Sequence, residues 1–172
     1  MELFKKIAVL VAIVSLLSLG AFASSTATGT LNLQASITNV CNVVSGGTLD
    51  FGAYDPVVAN KTTDLSPAGA TFTVQCTQGT TATVTMGQGT YADTGSTDAA
   101  PLRRLKAGTN YLSYQLFSDS GRLTPWNNTA GTGVSPTWDG TVQTLTVYGT
   151  IPQAQNAPQG TYTDSLTITI TY

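Results

Sequence analysis

Apolar and polar residues alternate with period two along much of the chain, and this alternation predicts strands at Thr28 to Ile37, Val40 to Val44, Leu49 to Phe51 and Ala70 to Thr77. Further strands are expected at Ala82 to Met86, Tyr111 to Phe117, Val142 to Ile151 and Ser165 to Tyr172. Within Ala70 to Thr77, Ala70, Phe72, Val74 and Cys76 share one face while Thr71, Thr73, Gln75 and Thr77 share the other, the signature of a half-buried antiparallel strand. Gly and Pro punctuate the gaps at Gly46-Gly47, Pro67, Gly87 to Gly95, Gly108, Gly131 to Pro136 and Pro152 to Gly160. No segment carries a sustained 3.6-residue stripe. The pattern predicts an all-β sandwich of short strands.

The first 23 residues depart from this alternation. Lys5 and Lys6 precede an apolar run from Ile7 to Leu19, and Ala21-Phe22-Ala23 places small residues before a cleavage point, so residues 1–23 read as a secretory signal peptide. That run is too short to span a bilayer, and no stable membrane insertion is expected after its removal. The expected route is export through the periplasm. Removing Glu2, Lys5 and Lys6 from nine acids and seven bases leaves eight Asp against five Lys plus Arg, a net charge of −3 that argues against nucleic acid as a partner. From Ser24 onward there is no His and no Glu, which takes away the commonest general base and the imidazole metal ligand, so no catalytic residue, metal or cofactor is assigned. The same stretch holds 31 Thr, whose branched Cβ favours pleated strands.

Cys41 and Cys76 form an even pair in an exported chain, and a single structural disulfide is expected between them. Asp93 and Asp98 lie in a polar, Gly-containing stretch but lack the ligand order of a calcium loop, so a solvated loop is expected there. Arg103, Arg104 and Lys106 read as a solvated basic face. Trp126 and Trp138 flank a loop that would present aromatics to a sugar, although tryptophans of sandwiches more often pack in the core or at its rim. Asn60-Lys61-Thr62 and Asn127-Asn128-Thr129 match the glycosylation sequon, a short pattern expected by chance in a Thr-rich chain.

The stretch Thr28 to Ile37 admits two readings: the first strand of the chain's own sandwich, or an extension that completes the sheet of a neighbouring subunit. In both, Leu31, Leu33, Ala35 and Ile37 face one way. A set of further segments bears on the choice. These are Gly47-Thr48-Leu49-Asp50-Phe51-Gly52, Val74-Gln75-Cys76 and Arg104-Leu105-Lys106, then Tyr111 to Phe117 with Asp119, Tyr148-Gly149-Thr150-Ile151 and Pro158 to Asp164 before a final alternating strand. In their order and spacing they resemble the spore coat protein U type domain found in subunits of archaic chaperone-usher pili.

The resemblance implies an incomplete immunoglobulin-like β-sandwich completed by a donor strand from a neighbouring subunit. It divides the chain into a signal peptide at 1–23, a donor-strand extension at 24–38 and a pilin domain at 39–172. Leu31, Leu33, Ala35 and Ile37 would be the donor residues, and Leu166, Ile168, Ile170 and Tyr172 of the last strand would border the acceptor groove. The implied function is that of a non-enzymatic pilin that polymerises into a surface pilus for attachment and biofilm formation. Its implied partners are copies of itself or related pilins, a periplasmic chaperone and an outer-membrane usher. A shaft or adaptor position is expected, since a tip adhesin would need a second domain. A secreted carbohydrate-binding sandwich, a spore-coat structural protein and an envelope hydrolase using Asp93, Asp98 or a Ser with Lys106 remain the alternatives.

Overall fold

The computed structural model describes residues 24–172; the expected signal peptide lies outside them. The described residues fall into two units, one ending at Ser36 and one from Ile37 to Tyr172. In the first, residues 24–36 carry neither strand nor helix and are exposed throughout, Leu31 at 83% and Leu33 at 86%.

The second unit is all-β. Its strands are β1 (Cys41–Ser45), β2 (Ala70–Cys76), β3 (Thr83–Met86), β4 (Arg104–Ala107), β5 (Asn110–Ser113), β6 (Gln115–Phe117), β7 (Val142–Thr150) and β8 (Ile168–Thr171). A four-stranded sheet runs in the order β1-β2-β7-β6, and β3-β8 and β4-β5 form two ribbons, every pairing being antiparallel. β2 sits inside the large sheet, paired with β1 on one edge and β7 on the other. Phe72, Val74 and Cys76 turn inward and are buried, while Thr71 and Gln75 turn out to solvent. They meet Leu116 and Leu145 of the same sheet and Ala82, Val84, Met86 and Leu112 from the ribbon side, with Trp126 and Trp138 closing the core. Both indole N–H groups donate to backbone, Trp126 to Val84 O at 2.9 Å and Trp138 to Ala82 O at 3.1 Å, so neither ring carries an unpaired polar atom into the core.

Several elements differ from the sequence expectations. Thr28 to Ile37 carries no strand in this chain, and neither does Leu49 to Phe51. The β1–β2 ladder shifts register between Val43 and Ser45, which turns the following segment out of the sheet. Leu49 and Phe51 still reach inward, because β7 presents Gly149 to them: a Cβ there would lie 2.5 Å from Leu49 Cδ2 and 2.7 Å from the Phe51 ring. The expected strand Tyr111 to Phe117 breaks at Tyr114, where the chain leaves β4 as partner and joins β7. Tyr114 itself bonds elsewhere, its N–H donating to Arg103 O at 3.0 Å. β4 was not expected at all; it is paired by a tight turn through Gly108 at φ +57, a conformation glycine adopts without strain. The last strand is shorter than Ser165 to Tyr172.

Cys41 and Cys76 are directly opposite across β1 and β2 and are joined, closing a loop with a sequence separation of 35. Because β1 is held by β2 alone, the bond secures the edge strand of the large sheet. Removing it by Cys41→Ala with Cys76→Ala is expected to cost about 4 kcal/mol by the loop-entropy relation. The urea midpoints of the two proteins measure that loss.

Candidate functional site

The four-stranded sheet ends on β1 and the β3-β8 ribbon on β8, and these two strands approach one another. Parity fixes which backbone groups face the seam. Val84 of β3 exchanges both of its backbone bonds with Val134, and Met86 N–H donates to Asn127 O, so Thr83, Thr85 and Gly87 are the positions that turn to β8. Their counterparts are Thr171, Thr169 and Thr167, with Gly87 N–H donating to Thr167 O at 2.9 Å. Leu166, Ile168 and Ile170 therefore aim N–H and C=O at the open edge while their side chains pack inward against the core. On the facing side Thr77 N–H donates to Val40 O, which directs the backbone groups of Cys41 and Val43 away from β2.

Beneath this seam lies an apolar trough in two parts. The first, about 300 Å³, has Phe72, Met86, Leu116 and Val147 as its floor, Leu49 and Phe51 on the β1 side, and Leu166 and Ile168 on the β8 side. The second, about 770 Å³, continues past Leu105 to Tyr54, Ile151 and the segment Ala157 to Asp164. Thr48, Leu49, Phe51, Leu105 and Asp164 border both. Two free strand edges beside an apolar trough are what a sandwich short of one strand presents.

One polar knot interrupts the trough. Asp164 Oδ2 accepts from Tyr114 O–H at 2.7 Å, and its Oδ1 accepts from the N–H groups of Thr90 at 2.9 Å and Ser165 at 2.8 Å. Gly89, at φ +86, permits this approach, since any Cβ there would collide with Asp164 Oδ2. Burial drives the Tyr114 hydroxyl far above the usual tyrosine range and the bond to Asp164 adds to the shift, so the hydroxyl stays a donor throughout the physiological pH range. Phe51 packs against Tyr114 with the rings tilted by 59° and their centroids 5.7 Å apart. Below them Arg103 is 3% exposed, and its guanidinium donates to the carbonyls of Gly87, Met86 and Trp126 at 2.8 to 2.9 Å. Burial lowers its pKa and the Tyr114–Asp164 pair opposes that shift.

The structure thus corrects the reading of the basic trio: Arg103 is a core residue, not part of a solvated face. Arg104 and Lys106 do line the surface, Arg104 4.1 Å above the Tyr111 ring and paired with Asp93 at 2.8 Å, Lys106 4.9 Å from the Tyr91 ring. Nothing in the alternation of that segment marks Arg103 as buried.

The remaining sequence candidates separate. Leu166 and Ile168 border the trough, Ile170 is half-buried against the core, and Tyr172, just beyond β8, is 58% exposed. Leu31, Leu33 and Ile37 are exposed, Ile37 at 88%. Trp126 and Trp138 are buried and present no platform to a sugar. Asp98 accepts from Gln88 Nε2 at 2.8 Å, which holds its carboxyl below the usual carboxylate range. Among the described residues no three metal-ligating side chains gather. Asn60 of the first sequon is buried, its side chain bonded to Asp55 N–H and Thr63 O. No helix among the described residues is long and apolar enough to cross a membrane.

The family model described as the Spore Coat Protein U domain matches residues 27–169. Protein U of Myxococcus xanthus is 45% identical over 173 aligned positions, covering 96% of both chains. Among solved structures, a chain of the CsuC–CsuE chaperone–tip adhesion subunit pre-assembly complex, from the archaic chaperone-usher Csu pili of Acinetobacter baumannii, matches with a TM-score of 0.53 at 18% identity. That match covers 80% of the present chain and 40% of the solved one, and what it establishes is the fold.

Proposed function

The chain belongs to the Spore Coat Protein U domain family, and on that premise we propose that it is a structural pilin subunit, without enzymatic activity, that polymerises by donor-strand exchange. Strand exchange needs no covalent chemistry. A segment of one subunit enters the seam of the next, pairs its backbone with the free edges and buries its apolar face in the trough, the strand-addition mode known for chaperones and pilins. The carrying observation is the open edge of β8 above the two-part trough, with the inward set Leu166, Ile168 and Ile170 half-covered. The exposed alternating residues Leu31, Leu33, Ala35 and Ile37 supply a complementary face.

On this reading residues 1–23 are the signal peptide, 24–38 the donor extension and 39–172 the pilin domain. A periplasmic chaperone protects the seam before assembly, an outer-membrane usher directs the exchange, and the product is a cell-surface pilus serving attachment and biofilm formation. Each large donor side chain contributes about 1.5 to 3 kcal/mol on burial, and each net backbone bond about 1 kcal/mol.

The test is occupancy of the seam. A synthetic peptide copying residues 28–38, added in excess to a subunit carrying Leu33→Asp so that its own segment does not compete, is expected to raise Tm by roughly 5–10 °C at 100-fold the dissociation constant. The same peptide with Leu33→Asp should give no rise. Equal, null responses to both peptides would oppose the proposal.

A further inference from the structure

We propose that Ala35 of one subunit sits at the step between the two parts of the trough in the next, against Phe51 and Asp164, and so fixes the register of the incoming strand. The inference rests on the donor-strand reading and adds to it which residue goes where. The two parts meet at the residues that border both, among them Phe51, Leu105 and the carboxylate Asp164.

Neither wall of this step yields easily. Asp164 is fixed by three hydrogen bonds, from Tyr114 O–H, Thr90 N–H and Ser165 N–H. Gly89 presses behind it with no room for a Cβ. Phe51 is held by the Tyr114 ring on one side and the bare backbone of Gly149 on the other. A bulky side chain entering here would have to displace a packed ring or strip solvent from a carboxylate, and both are costly.

The alternating face of the donor reads Leu31, Leu33, Ala35, Ile37, with one small residue among large ones. Residues two apart in a strand are about 7 Å apart on the same face. With Ala35 at the step, Leu33 and Ile37 fall on either side of it, one in each part of the trough. A shift of two residues would force Leu33 or Ile37 onto the step and leave a void beside Ala35.

Cross-linking reads the register directly. Full-length chains carrying Thr48→Cys, a position that borders both parts of the trough and leaves the Phe51 ring in place, together with Leu33→Cys, Ala35→Cys or Ile37→Cys are assembled and oxidised, and covalent multimers are scored on non-reducing gels. The Ala35→Cys chain is expected to give the ladder, and the other two little. A ladder from Leu33→Cys or Ile37→Cys instead would overturn the register while leaving strand exchange intact. No ladder from any chain, with no polymers from the unmodified protein, would overturn strand exchange as well. Polymers without any ladder would show that Ala35 does not reach the junction of the two parts, which also overturns the register. A second variant, Ala35→Leu, should slow polymerisation by about tenfold or more, and Phe51→Ala in the same chain should restore it. Wild-type kinetics for Ala35→Leu would contradict the proposed fit.

Discussion

Leu33→Asp is expected to leave the subunit folded and recoverable at wild-type yield while abolishing its addition to another subunit. In the structure Leu33 is 86% exposed, so a carboxylate there desolvates nothing and should change the stability of the isolated unit by no more than about 0.5 kcal/mol. In an acceptor trough floored by Phe72, Met86, Leu116 and Val147 the same carboxylate would be buried without a partner. The cost there is several kcal/mol, about a thousandfold in affinity. Were residues 28–37 a strand of the chain's own sandwich, the outcome would be reversed, with an unstable monomer that never accumulates. Size-exclusion chromatography of the purified subunit, followed by a polymerisation assay, separates the two. Normal polymerisation of well-folded Leu33→Asp protein would remove this segment as the donor.

Ile168→Asp is expected to fail earlier, in the isolated subunit. Its side chain borders the trough and packs on the core, and it pairs in register with Met86, which is 2% exposed. A charge at that position faces an apolar floor in the isolated subunit as well as in the polymer, so both accumulation and strand acceptance should fall, by several kcal/mol. The exposed Tyr172, four residues along the same alternation, supplies the control: Tyr172→Asp should accumulate normally. Periplasmic yield and partner co-purification of the two variants measure the difference. Wild-type behaviour of Ile168→Asp would show that β8 is not a wall of the acceptor site.

Period-two alternation made β2 legible, because it buries one face and alternation reports that burial; β3 and β7 were found by the same pattern although β3 buries Val84, Thr85 and Met86 in succession. It failed where position along the chain and hydrogen bonding decide. Leu49 and Phe51 alternate like a strand and do reach the core, yet the register shift after Val43 takes their backbone out of the ladder. Tyr111 to Phe117 alternates without interruption, but Tyr114 changes sheets there, a tertiary event that no local pattern carries. Arg103 shows the limit for charge. Its side chain is indistinguishable in sequence from Arg104, and only the cluster of three carbonyl acceptors from Met86, Gly87 and Trp126 makes its burial tolerable. The Tyr114–Asp164–Thr90 knot was equally hidden, since its members lie 50 and 74 residues apart. Of the groove itself, Leu166 and Ile168 were readable as an inward face, whereas the free edge above them follows from what β8 lacks on one side, which only the pairing of β3 with Val134 and Asn127 exposes.

The central claim is that subunits are joined head to tail by an inserted strand, and the persistence of the joint tests it most directly. Purified full-length protein, allowed to assemble and then diluted about a thousandfold, is examined by electron microscopy and sizing chromatography. Linear polymers that survive dilution for days, because a paired and buried strand must be withdrawn whole before a joint opens, are the expected result. A monomer at every concentration, or aggregates that dissolve on dilution, would contradict it.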